Sequence, residues 1–560
     1  MWNKLFPFLS WRISKEILRA DFIAGLTVAL VLIPQSMAYA DLAGLPPYIG
    51  LYAAFLPAII GSLWGSSNHL QTGPVAMVSL LTASALAPFG DISTAEYVRL
   101  AGMLAFITGA VWLVLGFCRL TFVVDFLSRP VIEGFVHAGA LIIGASQVGK
   151  IFGLSVPNGG HFLENLWTHV FLELDHINYP TLFIGVFSIA VIYTIRKYWP
   201  KVPAALTVMV ITGAIVYFFK LNELEHPVSI VGEIPAGLPA LKLDVFPDWA
   251  TARKLFSGAA VIAFVGFMEM CSVAKALAAK NRQDLCIRQE TIGQGLASVA
   301  SALSGGYPVS GSFSRSALDY DAGSKTGLSG VITGVFVLLF LLFFTKTIYF
   351  LPQAALAAVI INAVLRLLHF NRFVHYFRVS KADGFAGVIT FVATILFAPA
   401  LEEGILVGAA VSICLYLYRT MTPNVVILGR LEDGTYLNSE RYGVPVDSSM
   451  PTLRFDGRLY FANTTFFEEQ LFRVVGRYPD ARHIAIDCSG INALDASGEE
   501  MIRHLVTRLR GSGVQLLFSG VKSPMFSVLE RSGTAAIIGE QYFFNTLDAA
   551  YRFATDGRID

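Results

Sequence analysis

Residues 305–320 read GGYPVSGSFSRSALDY. Glycine, proline and the hydroxyls of Ser310, Ser312, Ser314 and Ser316 surround one cation, Arg315, and the run from Gly330, GVITGVFVLLFLLFF, is apolar enough to enter a bilayer. Irregular backbone at membrane depth survives only where protein or a wet cavity satisfies its N–H and C=O groups. A short helix starting after Pro308 would turn unpaired amides, worth about +0.5 charge, into such a cavity and attract an anion. Arg315 adds a full charge and a fixed fork of donors. Its competing readings are a snorkelling side chain at a helix end and a permanent pair with a carboxylate; a substrate-facing arginine is favoured, because ionisable residues within spans usually mark a pathway.

The rest of the chain supports a membrane setting. Its 560 residues are 55% hydrophobic and 14% charged, with a mean hydropathy of +0.61, against about 25% charge in soluble domains. Charge is sparse from Asp21 to Arg419 and frequent from Glu432 onward, which predicts a lipid-embedded part and a water-exposed part. A net charge of +1 without a basic tract gives no reason to expect nucleic acid. The five cysteines lack CxxC or Cys/His spacing, so neither a metal nor a cofactor is expected.

Apolar stretches near the ~20 residues that span a bilayer recur through the first 420 positions and predict about fourteen segments. Lys and Arg collect in alternate loops, at Arg196/Lys197/Lys201, Lys280/Arg282/Arg288 and Arg366/Arg372/Arg378/Lys381, which places both termini in the cytoplasm. A proline-interrupted, hydroxyl-rich segment stands third in each half, from Gln71 (QTGPVAMVSL) and from Tyr307. An odd number of spans per half inverts the second copy, the arrangement of transporters whose sites form where two discontinuous helices meet. The expected domains are an interfacial N-terminal segment (1–20), a transmembrane domain (21–420), a linker (421–449) and, where TLRFDGRLYF, RHIAIDCSG and VQLLFSGV alternate with helical spacing, an α/β domain (450–560).

Glu269 lies mid-span in VIAFVGFMEMCSVAKALAAK. If it is close to Arg315, arrival of a dianion favours a proton on the carboxylate, and anion and proton enter together; a static Glu269–Arg315 bridge is the alternative. Gln35 and Tyr39 follow the break at Pro34 and either line the same cavity or pack helices. Glu133, His137 and Gln147 are read as structural, since a lone histidine makes no metal site.

These residues resemble the SulP sulfate-permease family. DFIAGLTVALVLIPQSMAYADLAGLPPYIGLYAAFLPAIIGSLWGSS is similar to its first two spans, QTGPVAMVSL to its third, RQETIGQGLASVASALSGGYPVSGSFSRSALDYDAGSKTGLSG to its ninth to eleventh, and the tail to its STAS domain. The resemblance implies an α-helical membrane protein of about fourteen spans in a seven-plus-seven inverted repeat of the uracil-permease type. It also implies core and gate domains, elevator-like alternating access, a homodimer and a C-terminal α/β STAS domain. It places the substrate site on Gln35, Tyr39, Pro74, Val75, Ala76, Ser312, Phe313, Ser314 and Arg315, and proton coupling on Glu269. In INALDASGEEMIRHL it places Ser497 at the position phosphorylated in anti-anti-sigma factors, although serine is also an ordinary N-cap.

The expected function is secondary active import of a small oxyanion, sulfate first, by proton symport in the cell's inner or plasma membrane. Bicarbonate or dicarboxylate carriage with proton or sodium, an exchanger or channel, and a signalling protein with a cytoplasmic STAS partner are the alternatives. No residues combine as a nucleophile, base and oxyanion hole, so no enzyme is expected.

Overall fold

A computed structural model describes residue 8 and residues 13–90, 92–120, 128–154, 164, 168–169, 172, 174–199, 202–234, 237 and 239–556. Most of the segment expected to lie at the interface, 1–20, falls outside these. The chain divides into two compact units, Met1–Ser412 and Ile413–Asp560.

The first unit holds the spans, except that the last of them runs on past Ser412. They are α1 (Lys15–Leu42), α2 (Pro47–Trp64), α3 (Ala76–Leu86), α4 (Thr94–Phe117), α5 (Arg129–Ser146), α6 (Tyr179–Tyr198), α7 (Ala204–Phe219), α8 (Trp249–Asn281), α9 (Ile287–Leu303), α10 (Phe313–Asp321), α11 (Leu328–Phe343), α12 (Gln353–Val364), α13 (Lys381–Phe397) and α14 (Leu401–Met421). Eight helices among the described residues are long and apolar enough to cross a membrane. The third and tenth are short because each is preceded by an extended piece, β1 (Thr72–Gly73) before α3 and β2 (Ser310–Gly311) before α10.

Packing sorts the spans into a core domain (α1–α4 and α8–α11) and a gate domain (α5–α7 and α12–α14): α4 and α2 lie on α9, α1 and α2 on α11, while α5 lies on α13 and α6 on α12. In lipid, apolar surface does not drive helices together, so close contact must come from small residues. Two glycines supply it where α4 crosses α9. A Cβ on Gly109 would stand 2.8 Å from the Gly295 carbonyl oxygen, and one on Gly295 would stand 3.0 Å from that of Gly109.

The second unit is built on a six-stranded sheet. Its strands are β3 (Asn424–Arg430), β4 (Tyr436–Asn438), β5 (Thr452–Asp456), β6 (His483–Asp487), β7 (Gln515–Ser519) and β8 (Phe543–Phe544), in the order β4-β3-β5-β6-β7-β8. From β5 to β8 the pairing is parallel, which requires helical crossovers that cover the sheet. Ile484, Ile486, Leu516 and Phe518 accordingly bury against Phe467, Leu471, Ile502 and Leu505 of the crossover helices. The stretch read as a linker, 421–449, carries β3 and β4. Its NVVILGR run pairs antiparallel with β5 over five residues and becomes part of the domain. A short apolar strand next to a span reads in sequence as the tail of that span.

Candidate functional site

The two extended pieces cross and pair antiparallel, Thr72 opposite Gly311 and Gly73 opposite Ser310. Hydrogen bonds fix the crossing from three sides. Ser312 N donates to Gln71 O (2.9 Å), Gln71 N to Ser316 Oγ (2.8 Å), Gln294 Nε2 of α9 to Thr72 Oγ1 (2.7 Å), and Ser310 Oγ to Gly266 O of α8 (2.9 Å). Two of the four serines are therefore structural. Beyond the crossing the chain turns helical at Ala76 and at Phe313. Neither N-cap, Val75 or Ser312, bonds its helix through a side chain, so both helix ends keep first-turn amides for a ligand.

Arg315 lies in the first turn of α10 and is wholly buried. Its Nη1 donates to Pro74 O (2.8 Å) across the crossing. Its Nε and Nη2 are buried with no partner. Gly73 leaves room for this reach, since a Cβ there would stand 3.3 Å from Nη2. The snorkelling reading is excluded by this burial. The static bridge is absent as well: among the described residues no carboxylate lies within ion-pair distance of Arg315, and Glu269 Oε2 is itself buried and unpartnered. Tyr39, Glu269 and Tyr307 are still near enough for their charges to act on the guanidinium.

Of the other expected site residues, Tyr39, Pro74, Val75, Ala76 and Ser312 are buried beside the crossing. Gln35 brings another unpartnered buried atom, Oε1. Phe313 and Ser314 differ: Phe313 is 61% exposed and Ser314 is exposed, with Ser314 Oγ 3.4 Å from Ser312 Oγ. In the gate domain His137 Nδ1 bonds Glu133 O (2.6 Å) and its Nε2 accepts from His369 N (2.8 Å), while Gln147 Nε2 donates to Ser146 Oγ (3.0 Å) and its Oε1 is buried without a partner.

Sequence reasoning missed several buried polar groups. Tyr307 meets Ser79 Oγ at 3.0 Å and ties β2 to α3. Glu290 accepts from the backbone N–H groups of Ser66 and Ser67 (2.6 and 2.7 Å) and braces the segment that leads into β1. Asp319 follows Arg315 by four residues, a spacing that puts both on one helix face and was readable in SRSALD. In the second unit, Ser497 is exposed in the first turn of Ala496–Gly511, whose N-cap is Asp495: its Oδ1 accepts from Gly498 N (2.8 Å). Ser497 is not the cap.

Inverted spans with two crossing half-helices define a membrane transporter fold. The chain belongs to the sulfate permease family, whose model matches residues 18–390, and a STAS domain model matches residues 442–550. It is 34% identical over 564 residues to sulfate transporter 4.1, chloroplastic, of Arabidopsis thaliana, covering 97% of this chain and 81% of that protein. A probable sulfate transporter of Mycobacterium tuberculosis is 31% identical, over 95% of this chain and 94% of that one. Among solved structures, the murine Solute Carrier 26 family member A9 anion transporter in the inward-facing state superposes with a TM-score of 0.90 at 25% identity, covering 99% of this chain and 94% of that one. The transmembrane domain of a cyanobacterium bicarbonate transporter, BicA, superposes with a TM-score of 0.60 at 22% identity, over 72% of this chain and 99% of that one.

Proposed function

We propose that the chain is a secondary active transporter of a small oxyanion, sulfate first, coupled to protons. The observation that carries this is the pair of buried, unpartnered N–H groups of Arg315 between two uncapped helix N-termini. A buried cation without a counterion is costly, and a dianion offers acceptors to the fork and to both helix ends at once. The relatives named as sulfate transporters support the choice of anion. Glu269, unpaired and within electrostatic reach of Arg315, would take a proton as the dianion arrives.

Transport proceeds by movement of the core domain, which carries the site, against the gate domain. In the state described here the two domains are joined by Lys150 Nζ to Asp41 Oδ2 (2.5 Å) and by Ser84 Oγ to Glu402 Oε2 (2.6 Å). The loop cations put both termini in the cytoplasm, so these contacts lie on the outer side and the site opens inward. The chain works as a homodimer, residues 21–420 forming the transport domain, and Ser497, exposed at a helix start where added negative charge is favoured, accepts a regulatory phosphate. Proteoliposomes test the central claim: an inward proton gradient should drive accumulation of radiolabelled sulfate ahead of bicarbonate and succinate. Accumulation indifferent to the gradient would remove the coupling, and preference for another anion would replace the substrate.

A further inference from the structure

The Arg315 helix carries a second buried ionisable group that the anion site leaves unused. Asp319, one turn beyond Arg315, is fully buried. Its Oδ2 lies 2.5 Å from Ser324 Oγ and 3.5 Å from His69 Nδ1. His69 Nδ1 is 2.7 Å from Ser324 Oγ, and its Nε2 is 3.0 Å from Asn281 Nδ2. An amide nitrogen only donates, so Nε2 accepts and the neutral imidazole carries its proton on Nδ1. That proton points to Ser324, and the Ser324 hydroxyl proton points to Asp319. Asp319 Oδ1 is left buried with no donor.

Among the described residues no lysine or arginine lies within ion-pair distance of it. On α8, Lys280 lies over the Tyr320 ring (5.9 Å), which meets His69 edge-on (5.2 Å). On α11, Ser329 is the polar neighbour. On α1, Asp21 accepts from Lys325 N (2.6 Å) and Thr326 Oγ1 (2.6 Å), and on α9 Glu290 is committed to Ser66 and Ser67. A buried carboxylate with an empty oxygen and no counterion has one inexpensive remedy, which is a proton.

We infer that His69, Ser324 and Asp319 form a proton-binding site on the core domain, separate from Glu269 and exchanging with whichever side of the membrane the core domain faces. The balance is simple: one proton in, one carboxylate converted to a carboxylic acid. If the Asn281 amide turns, a proton taken at His69 Nε2 releases the Nδ1 proton to Ser324, which passes its own to Asp319, and the imidazole stays neutral. This rests on the proposed transport function and deepens it, since a dianion accompanied by protons at both Glu269 and Asp319 crosses without net charge.

Two measurements on the full chain test it. In detergent, without transport, the folded wild type should lose stability as pH rises above about 4, the ordinary aspartate value, and Asp319→Asn should lose up to about tenfold of that variation per pH unit, the signature of one proton. In proteoliposomes at clamped voltage, wild-type sulfate uptake should be insensitive to membrane potential and Asp319→Asn uptake sensitive to it. Ser324→Ala, which keeps the carboxylate and cuts the relay, should shift the pH profile and serves as the test if Asp319→Asn does not fold. Identical pH profiles for the wild type and these variants would overturn the site. The detergent measurement does not depend on transport, so its failure and that of the transport function are distinguishable.

Discussion

Arg315→Lys keeps the charge and removes the fork. In the wild type, Nη1 is occupied by Pro74 O at 2.8 Å, while Nε and Nη2 are free, so an oxyanion can receive two parallel donors. An ammonium has three donors on a shorter stem and acts as a point charge; with one claimed by Pro74 O, it fails to reproduce about one charge-assisted bond. That loss is about 2 kcal/mol, or roughly 30-fold in sulfate affinity. Arg315→Met removes both donors and the charge, about 4 kcal/mol or more, or roughly 700-fold. Stability should behave differently. The Met variant orphans the Pro74 carbonyl but relieves two unpartnered buried donors, each term being about 1–3 kcal/mol, so the ligand-free protein should melt no lower than wild type. Equilibrium binding of radiolabelled sulfate to purified protein, with thermal unfolding in its presence and absence, reads both quantities. A Met variant that melts well below wild type yet binds sulfate within about threefold of it would show the guanidinium to be a structural brace, and the reasoning would fail.

Glu269→Gln should retain sulfate exchange between equal compartments while losing part of the acceleration by an inward proton gradient, the part Asp319 does not carry; undiminished acceleration would assign the proton elsewhere. Asp41→Asn removes the Lys150 partner across the core–gate boundary, a partly exposed pair worth about 1 kcal/mol. With Cys118, Cys286 and Cys414 replaced, thiol labelling of Gln35→Cys from outside should rise roughly fivefold; an unchanged rate would deny that this pair holds the outer side closed. In the STAS domain, Asp548 receives Arg430 Nη2 and Arg552 Nη2, each at 2.8 Å, and these bonds hold its carboxyl below the usual range. A depressed folded value gives stability that is present above about pH 4 and lost as pH falls below it. Asp548→Asn should therefore weaken hydrogen-exchange protection in β6 and β7 by about 1 kcal/mol at neutral pH, a difference that should shrink progressively as pH falls below about 4. Cys488 is buried and its thiol is pushed up by that burial, so alkylation of native protein should leave it unmodified.

The architecture was legible because lipid imposes length and hydropathy on every span, and the two breaks stood out as proline and hydroxyls where such a span should run on. Arg315 was legible for the same reason, as a cation where lipid tolerates none. What the sequence withheld is direction. SFSRS does not say that Ser316 would bond the Gln71 backbone while Arg315 reached across to Pro74, because those partners lie more than two hundred residues away in the chain. His69 and Asp319 were invisible as a pair for the same reason: neither spacing nor composition joins a residue before β1 to one at the end of α10. The strands β3 and β4 were absorbed into a linker because their pairing with β5 is tertiary and their apolar run abuts a span.

The charge balance at the crossing explains why Glu269 stands apart from Arg315. Two helix ends at about +0.5 each and one guanidinium sum to about +2, which a dianion cancels; an ionised Glu269 in the same hollow would then leave an excess negative charge in a medium that penalises it. Had Glu269 bonded Arg315 directly, it would have consumed the fork and competed with the anion. Held within electrostatic reach, its Oε2 unpartnered, it does neither. On the proposed coupling it is a carboxylate while the hollow is empty and takes a proton as the anion binds. The proposed coupling of anion to proton thus needs no mechanical link between the two residues, only that both charges share one low-dielectric space.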